Sequence, residues 1–356
     1  MIVHMFPKSQ FTEEFIYFIN NHFDRNEHLF VLYTNVRFEL PKEIYNIENV
    51  VDYDKKSLVW LYGQLTKAKK IFFHNLSVNF DVLFMLYLNI HFIRKAIWLI
   101  WGSDLYWHRI PKKNYLDKFV EKMRTKIIRS FLAIASLTDG DYYLAQEWYG
   151  AKAKNIRLDY CEEYIISLLH DMKAKMRTNH DEQISILIGN SATETNQHKQ
   201  ILKLLTKYKD ENIKLIVPLS YGDMQYADEI QKLGYELYGD KFVPIRKYLA
   251  KREYYELLNS IDIAIFNNNR QQATGNITAL LYLGKKIYLR NDTSMWEEWV
   301  RKVGYSIHNI NDISEEKYEV FIKNNKDEIT NNFILVNDFF CVENRIMEWN
   351  EAFYKI

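Results

Sequence analysis

Glycine and proline are scarce in this 356-residue chain, 11 and 5 in all, which excludes collagen-like, linker-rich and low-complexity readings. Cysteine is scarcer: Cys161 and Cys341 are the two, too few alone for a disulfide framework or a cysteine zinc site, and in keeping with a reducing cytoplasm. No apolar run approaches the ~18 residues of a membrane-spanning helix, and the most concentrated, 96–101, is far shorter. The first six residues lack the basic start and long apolar core of a signal peptide and read as a strand. An excess of one charge is missing too. Lys and Arg number 47 against 46 Asp and Glu, a net of +1, so whole-chain charge makes no case for nucleic acid. No H-E-x-x-H, nucleophile elbow or Cys–His pairing occurs, nor a G-x-G-x-x-G or P-loop pattern.

What is present is a regular alternation. Short apolar runs at 1–6, 28–34, 49–53, 70–75, 95–101 and 131–138 are separated by helix-length amphipathic stretches near 10–24, 57–68, 79–91, 115–130 and 140–149. Parallel pairing needs crossovers of this length. The rhythm restarts at 184–189 and continues through strands at 214–219, 242–245, 262–266 and 286–289, with helices between them. The expectation is an α/β protein of two Rossmann-like doubly wound domains facing a cleft: 1–161, a linker over 162–182, then 183–340. A helix over 341–356 is expected to cross back to the first domain. Charge divides the same way, with 22 Lys/Arg against 17 Asp/Glu up to residue 161 and an acidic remainder. Residues 90–130 hold ten basic and three acidic side chains, a surface that attracts phosphate or anionic lipid.

In open α/β sheets ligands gather at the carboxyl ends of strands and at helix N-termini. Four clusters fall there. Trp98-Leu-Ile-Trp-Gly-Ser-Asp-Leu-Tyr106 places Asp104 to deprotonate an acceptor hydroxyl, and Trp101 or Tyr106 to stack on a sugar; capping by Asp104 and core-filling by the tryptophans is the plainer alternative. His74 closes a second strand and can bind pyrophosphate or act as a structural hydrogen-bonding residue. Gly189-Asn190-Ser191, with Asn196 and His198 beyond it, has the form of an anion-binding turn. Asn267-Asn-Asn-Arg-Gln-Gln-Ala-Thr-Gly-Asn276 offers Arg270, Gln271, Gln272 and the backbone around Gly275 and Asn276 to a diphosphate.

At these same clusters the chain resembles a known family. Ile100-Trp-Gly-Ser-Asp-Leu-Tyr106, Ile186-Leu-Ile-Gly-Asn-Ser191 with Asn196 and His198, Val217-Pro218 with Tyr221, Arg270-Gln-Gln272 with Gly275, and Trp296 are similar, in order, to the TDP-N-acetylfucosamine:lipid II N-acetylfucosaminyltransferases (4-alpha-L-fucosyltransferases, glycosyltransferase family 56). The resemblance implies a GT-B architecture with acceptor on the first domain and nucleotide-sugar on the second. It implies transfer of 4-acetamido-4,6-dideoxygalactose, or a related deoxyaminosugar, from a TDP-sugar to a polyprenyl-diphosphate-linked saccharide, at the cytoplasmic face of the bacterial inner membrane. The sites expected are catalytic Asp104 and His74; nucleotide-sugar-binding Asn190, Ser191, Asn196, Tyr221, Arg270, Gln271, Gln272, Gly275 and Asn276; and acceptor-binding Trp101 and Tyr106. No cofactor and no metal are expected, since Arg270 and helix N-termini can balance diphosphate charge. An anionic membrane surface is expected to meet the basic helical segment 112–132, its apolar face packed on the sheet. A non-catalytic saccharide- or nucleotide-binding partner on the same scaffold is the competing reading, and an RNA or DNA binder a weaker third.

Overall fold

The computed structural model describes residues 1–34, 38–174 and 183–356. The chain divides into two compact units, Met1–Glu163 with Cys341–Ile356, and Tyr164–Phe340. Each is a parallel sheet between layers of helix.

The first unit contains β1 (Ile2–Pro7), β2 (His28–Tyr33), β3 (Val50–Asp52), β4 (Lys70–His74), β5 (Ala96–Leu99), β6 (Ala133–Ala135) and β7 (Lys154–Ile156), in the order β3-β2-β1-β4-β5-β6-β7. Every pairing is parallel. A parallel sheet is covered on both faces, so its strands read as continuous apolar runs; β1 and β4 are buried at every residue. One face carries Val3, Met5, Val31, Ile71, Phe73 and Trp98, packed on Leu61, Leu65, Val82, Leu86, Met123 and Ile127 from the helices Leu58–Lys67, Phe80–Leu88 and Tyr115–Ile128. The opposite face carries His4, Phe6, Phe30, Phe72 and His74. The helices Thr12–His22 and Val342–Tyr354 supply Phe15, Trp349 and Phe353 to it, with ring centroids 4.7–5.8 Å apart (Phe15–Trp349, Phe72–Trp349, His4–Phe15, His4–Phe353). Lys70, the first residue of β4, is buried beneath the end of the C-terminal helix, and its Nζ donates to the carbonyls of Ala352 (2.9 Å), Phe353 (3.0 Å) and Ile356 (2.9 Å). These carbonyls have no partner within the helix, and a cation is the group their dipole favours.

The second unit contains β8 (Ile184–Ile188), β9 (Ile213–Pro218), β10 (Phe242–Ile245), β11 (Ile263–Phe266), β12 (Lys286–Leu289) and β13 (His308–Asn309), in the order β10-β9-β8-β11-β12-β13 and again parallel. Alternate residues of β8, β9 and β11 enter two separate cores, as the period of a strand buried on both sides requires.

The strand and helix positions follow the sequence rhythm closely up to β12, and the differences lie in short edge strands, in the linker and in the helical segments after β12, Ser294–Trp296, Glu297–Val303 and Tyr318–Ile322 among them. β7 and β13 are edge strands of three and two residues, too short to leave a pattern. Within the segment expected as a linker, Glu163–Ala174 is a helix whose Ile165, Leu168, Leu169 and Met172 are buried in the second unit. Those residues recur at helical spacing, a period that the polar neighbours obscure. The rest of that linker, 175–182, lies outside the described residues. The helix Lys326–Asn337 was likewise not expected.

Candidate functional site

In the second unit the strand order reverses between β8 and β11, and the crevice beyond the carboxyl ends of such a pair is where doubly wound folds bind ligands. The loop after β8 turns back at Gly189 (φ +67°), where a Cβ would lie 2.6 Å from His198 Nε2 and 2.8 Å from Asn196 Oδ1. Asn196 is fully buried and builds the hook: its Oδ1 accepts from Asn190 N (3.1 Å), while its Nδ2 donates to Ser191 O (3.1 Å) and Thr193 Oγ1 (2.8 Å). The loop after β11 reaches across through Gln272. Its Nε2 donates to Asn190 Oδ1 (2.9 Å) and Ser191 Oγ (3.1 Å), and its Oε1 accepts from Thr195 Oγ1 (2.7 Å). Asn269 N adds a bond to Thr195 O (3.0 Å). Asn190 Nδ2 in turn donates to the hydroxyl of Tyr221 (3.0 Å), an exposed residue on the loop after β9.

Asn190, Ser191, Asn196, Tyr221 and Gln272 are therefore brought together at the switch point, with Thr193 and Thr195 added to them. Arg270 lies in the same loop with its Nη1 donating to Gln271 O (3.0 Å). The helix Thr274–Tyr282 starts directly after it, from Ala273 at φ +61° and with no side-chain cap. Its first-turn N–H groups are the orphan donors of a helix N-terminus, and Gly275 among them is exposed with open space around it. Gln271 is buried, and Asn276 is committed to Tyr254, donating to its hydroxyl at 2.7 Å; these two stand apart from the clasp.

The first unit corrects the catalytic expectation. Asp104 is 1% exposed. Its Oδ2 accepts from Trp98 Nε1 (2.7 Å) and Leu76 N (3.0 Å), and its Oδ1 from Trp101 N (3.0 Å) and Leu105 N (3.1 Å). Four donors fill the roughly four lone-pair positions of a carboxylate, which leaves none for a hydroxyl proton. Asp104 is a structural knot, reinforced by buried Arg124, which donates to the backbone oxygens of Leu76 (2.7 Å) and Asp104 (2.6 Å). His74 is also fully buried and reaches outward only through the hydroxyl of Tyr160 (2.8 Å), which Trp101 Nε1 also contacts (2.9 Å). Half-buried Phe11 stacks on Tyr160 at 5.6 Å. Trp101 thus belongs to an aromatic platform at the carboxyl edge of the first sheet, whereas Tyr106 packs edge-on against Trp148 (5.2 Å). Tyr160 carried no sequence signal, being a lone aromatic in an irregular segment. Asp159 beside it is pushed up to about 6 and Glu348 to about 7, both by burial.

Two Asp-x-Asp triplets, a spacing able to hold a cation, also lie in this unit. Asp52 and Asp54 both accept from Lys8 Nζ (2.8 and 2.7 Å). Asp139 accepts from Asn155 Nδ2 (3.0 Å), and Asp141 is fully buried.

Two doubly wound parallel sheets of this kind are the architecture of the GT-B fold. Anabaena Alr3699/HepE in complex with UDP-glucose has the same fold (TM-score 0.70, 11% identity, 100% of both chains covered). So do a glycosyltransferase from Rickettsia africae ESF-5 (0.69, 11%, 99% and 97%) and the N-terminal domain of Candida albicans trehalose-6-phosphate phosphatase (0.61, 12%, 100% and 97%). The chain belongs to glycosyltransferase group 56, the 4-alpha-L-fucosyltransferases, whose family model matches residues 19–353. Glycosyl transfer is its chemistry.

Two outcomes follow from this geometry. Asp104→Asn leaves one acceptor oxygen where four donors converge and should cost about 3 kcal/mol of stability; an unshifted urea midpoint would refute the knot. His198 is buried and neutral, its imidazole held down to about 4 against an ordinary 6.5. The unfolded chain therefore binds a proton that the folded one does not, so stability present at neutral pH is lost as pH falls through 6.5 toward 4. His198→Asn should flatten the pH slope of the unfolding free energy in that window by up to one proton, about 1.4 kcal/mol per pH unit. Parallel slopes for variant and wild type would contradict this assignment.

Proposed function

We propose that this transferase moves a deoxyaminosugar, 4-acetamido-4,6-dideoxygalactose or a relative, from a TDP-sugar to a polyprenyl-diphosphate-linked saccharide in bacterial surface-polysaccharide synthesis. The second unit binds the nucleotide-sugar and the first the acceptor. The observation that carries this reading is the Gln272 clasp, which sets Asn190, Ser191 and Tyr221 beside the loop of Arg270 and the uncapped first turn at Gly275. A guanidinium and helix N–H groups are the donors a diphosphate calls for, and they balance its charge without a metal. That a protein of the same fold holds UDP-glucose supports a nucleotide-sugar as the ligand. Trp101, Tyr160 and Phe11 offer aromatic faces to a saccharide acceptor.

Arg270→Ala and Gln272→Ala should each weaken TDP binding about tenfold or more, from the roughly 1.5–3 kcal/mol of a hydrogen bond to a charged group. Calorimetry on folded variants checks this, and unchanged affinity in both removes the site. Mass spectrometry of products from a TDP-sugar panel with a polyprenyl-diphosphate acceptor then identifies the sugar.

A lipid-diphosphate acceptor stays in the bilayer, so the enzyme must come to it, and we place it peripherally on the cytoplasmic face. No described helix is long and apolar enough to cross a membrane. The helix Tyr115–Ile128 buries only its second half, through Met123, Ile127 and Ile128. Tyr115 (91% exposed), Leu116 and Phe119 point outward, where Phe84 of the neighbouring helix Phe80–Leu88 meets Phe119 at 6.4 Å, and Phe80 and Leu88 are exposed as well. The apolar side expected to face the sheet is therefore partly a surface patch, a common mark of an interaction site. Arg124 is withdrawn from the basic rim by burial, and Lys112 donates to the backbone oxygens of Trp107 and Ile110. Lys126 likewise donates to Tyr87 O (3.2 Å), and exposed Lys113, Lys118 and Lys122 remain for anionic lipid, each worth about 1 kcal/mol near the surface. Sedimentation should show binding that requires anionic vesicles, weakens with salt, and drops in Leu116→Ser/Phe119→Ser; equal binding of wild type and variant would count against the patch.

A further inference from the structure

Five groups in the first unit form one continuous hydrogen-bonded row. Trp101 Nε1 donates to the Tyr160 oxygen (2.9 Å), and that hydroxyl meets His74 Nδ1 (2.8 Å). His74 Nε2 meets His4 Nδ1 (3.0 Å), and His4 Nε2 meets His28 Nδ1 (3.0 Å). In the sheet register His4 stands opposite Phe30 of β2 and Phe72 of β4. His28 is two residues before Phe30 and His74 two residues after Phe72, so all three histidines share one face and the row crosses it diagonally. It runs from the carboxyl edge, where Tyr160 is half-buried, to the opposite edge at His28. Phe30, Phe72, Phe15 and Phe353 wall His4 at 4.7–5.8 Å.

A neutral imidazole has one N–H and one acceptor nitrogen. Burial holds His4 and His74 well below the ordinary histidine range, so both are neutral at pH 7. Such a row can point only one way at a time. Trp101 can only donate, so the Tyr160 oxygen always accepts there. In one direction Tyr160 donates to His74 and every ring carries its hydrogen on Nε2. In the other, every ring carries it on Nδ1 and the Tyr160 hydrogen faces outward. At the far end His28 Nε2 is buried without a partner among the described side chains. Burial is what chiefly holds His28 down, to about 4; Glu27 and Asp24 beside it favour the cation, and the N-terminal amine opposes it.

We propose that this row is a proton relay for the transfer reaction, accepting the proton of an acceptor hydroxyl bound against Tyr160 and storing it on His28. The inference rests on the glycosyl-transfer reading. As the acceptor oxygen bonds to the sugar carbon, the bond from that carbon to the diphosphate oxygen breaks, and its electron pair leaves with the diphosphate. The acceptor proton passes to the Tyr160 oxygen, the phenolic hydrogen to His74 Nδ1, the His74 Nε2 hydrogen to His4 Nδ1, and the His4 Nε2 hydrogen to His28 Nδ1. The three rings end with hydrogen on Nδ1 and His28 carries the charge. When product leaves, the same hops run backward and Tyr160 releases the proton to water, so no buried ring has to turn over. His28 is 2% exposed, so burial disfavours the charge it takes up and only Glu27 and Asp24 favour it, which makes the proton's return downhill once product leaves.

Two measurements test it. Nitrogen-15 spectra of histidine-labelled protein at pH 7 should show His4, His28 and His74 all neutral with hydrogen on the same ring nitrogen; mixed tautomers or a charged ring overturn the relay. Tyr160→Phe keeps the ring on Phe11 and removes only the hydroxyl. It should lower kcat by about 10²-fold, leave TDP affinity unchanged and reduce the solvent isotope effect on kcat. His4→Phe, placed among phenylalanines, should do the same by cutting the row at its centre. If wild type transfers sugar and Tyr160→Phe stays within threefold of it, the relay alone is overturned. If wild type transfers from no nucleotide-sugar to any lipid-diphosphate or soluble saccharide acceptor, the functional reading falls and the relay with it.

Discussion

All pairings in both sheets are parallel, and a parallel sheet has to be covered on both faces because its strands are apolar on both. Much of the architecture answers to that requirement. In the first unit the helices between strands cover one face, while the other needs Thr12–His22 and the chain's last helix, Val342–Tyr354. Without that helix Phe72 would lose Trp349 and Phe353, His4 would lose Phe353, and Lys70 would be a buried cation with none of its three carbonyls to bind. The C-terminal segment is thus part of the first unit's core, far as it lies in sequence.

The same topology decides where polar chemistry gathers. Crossovers in a doubly wound sheet leave in opposite directions from the two strands at the switch point, which opens a crevice beyond their ends. In the second unit β8 and β11 meet there, and Gln272 ties their loops together. In the first unit the corresponding strands are β1 and β4, and the histidine row crosses from one to the other before emerging at Tyr160. The Gln272 clasp is made of amides and hydroxyls, each with a partner on a neighbouring loop. The histidine row is sealed among phenylalanines and is held in a single line.

Burial also separates groups that look alike in sequence. Asp104 and Asp159 both stand near strand ends among aromatics. Four N–H donors close over Asp104 and make it part of the scaffold, whereas burial pushes the Asp159 carboxyl up to about 6. Arg124 and Lys118 lie on one helix six residues apart, yet Arg124 binds two buried carbonyls and Lys118 faces solvent. Charge counted along the chain cannot tell these apart, because desolvation depends on what packs alongside.

The sequence by itself determined the fold class, most strands and helices, and the loop cluster at 189–196 and 270–275, because apolar periodicity and donor-rich loops at strand ends are local properties. It left β7, β13 and the helix Glu163–Ala174 unread: the edge strands are too short to show a period, and the helical spacing of Ile165, Leu168, Leu169 and Met172 is broken up by polar neighbours in a segment that joins two sheets. Which residue touches which was decided only by the tertiary structure. Gln272 meets Asn190 across 82 positions of sequence and His4 meets His74 across 70, through sheet register and crossover packing that no window of the chain contains. For the same reason Asp104, whose strand-end place suggested a base, is closed off by donors from Leu76 and Trp98, and Tyr160, which had no motif to mark it, stands at the mouth of the histidine row.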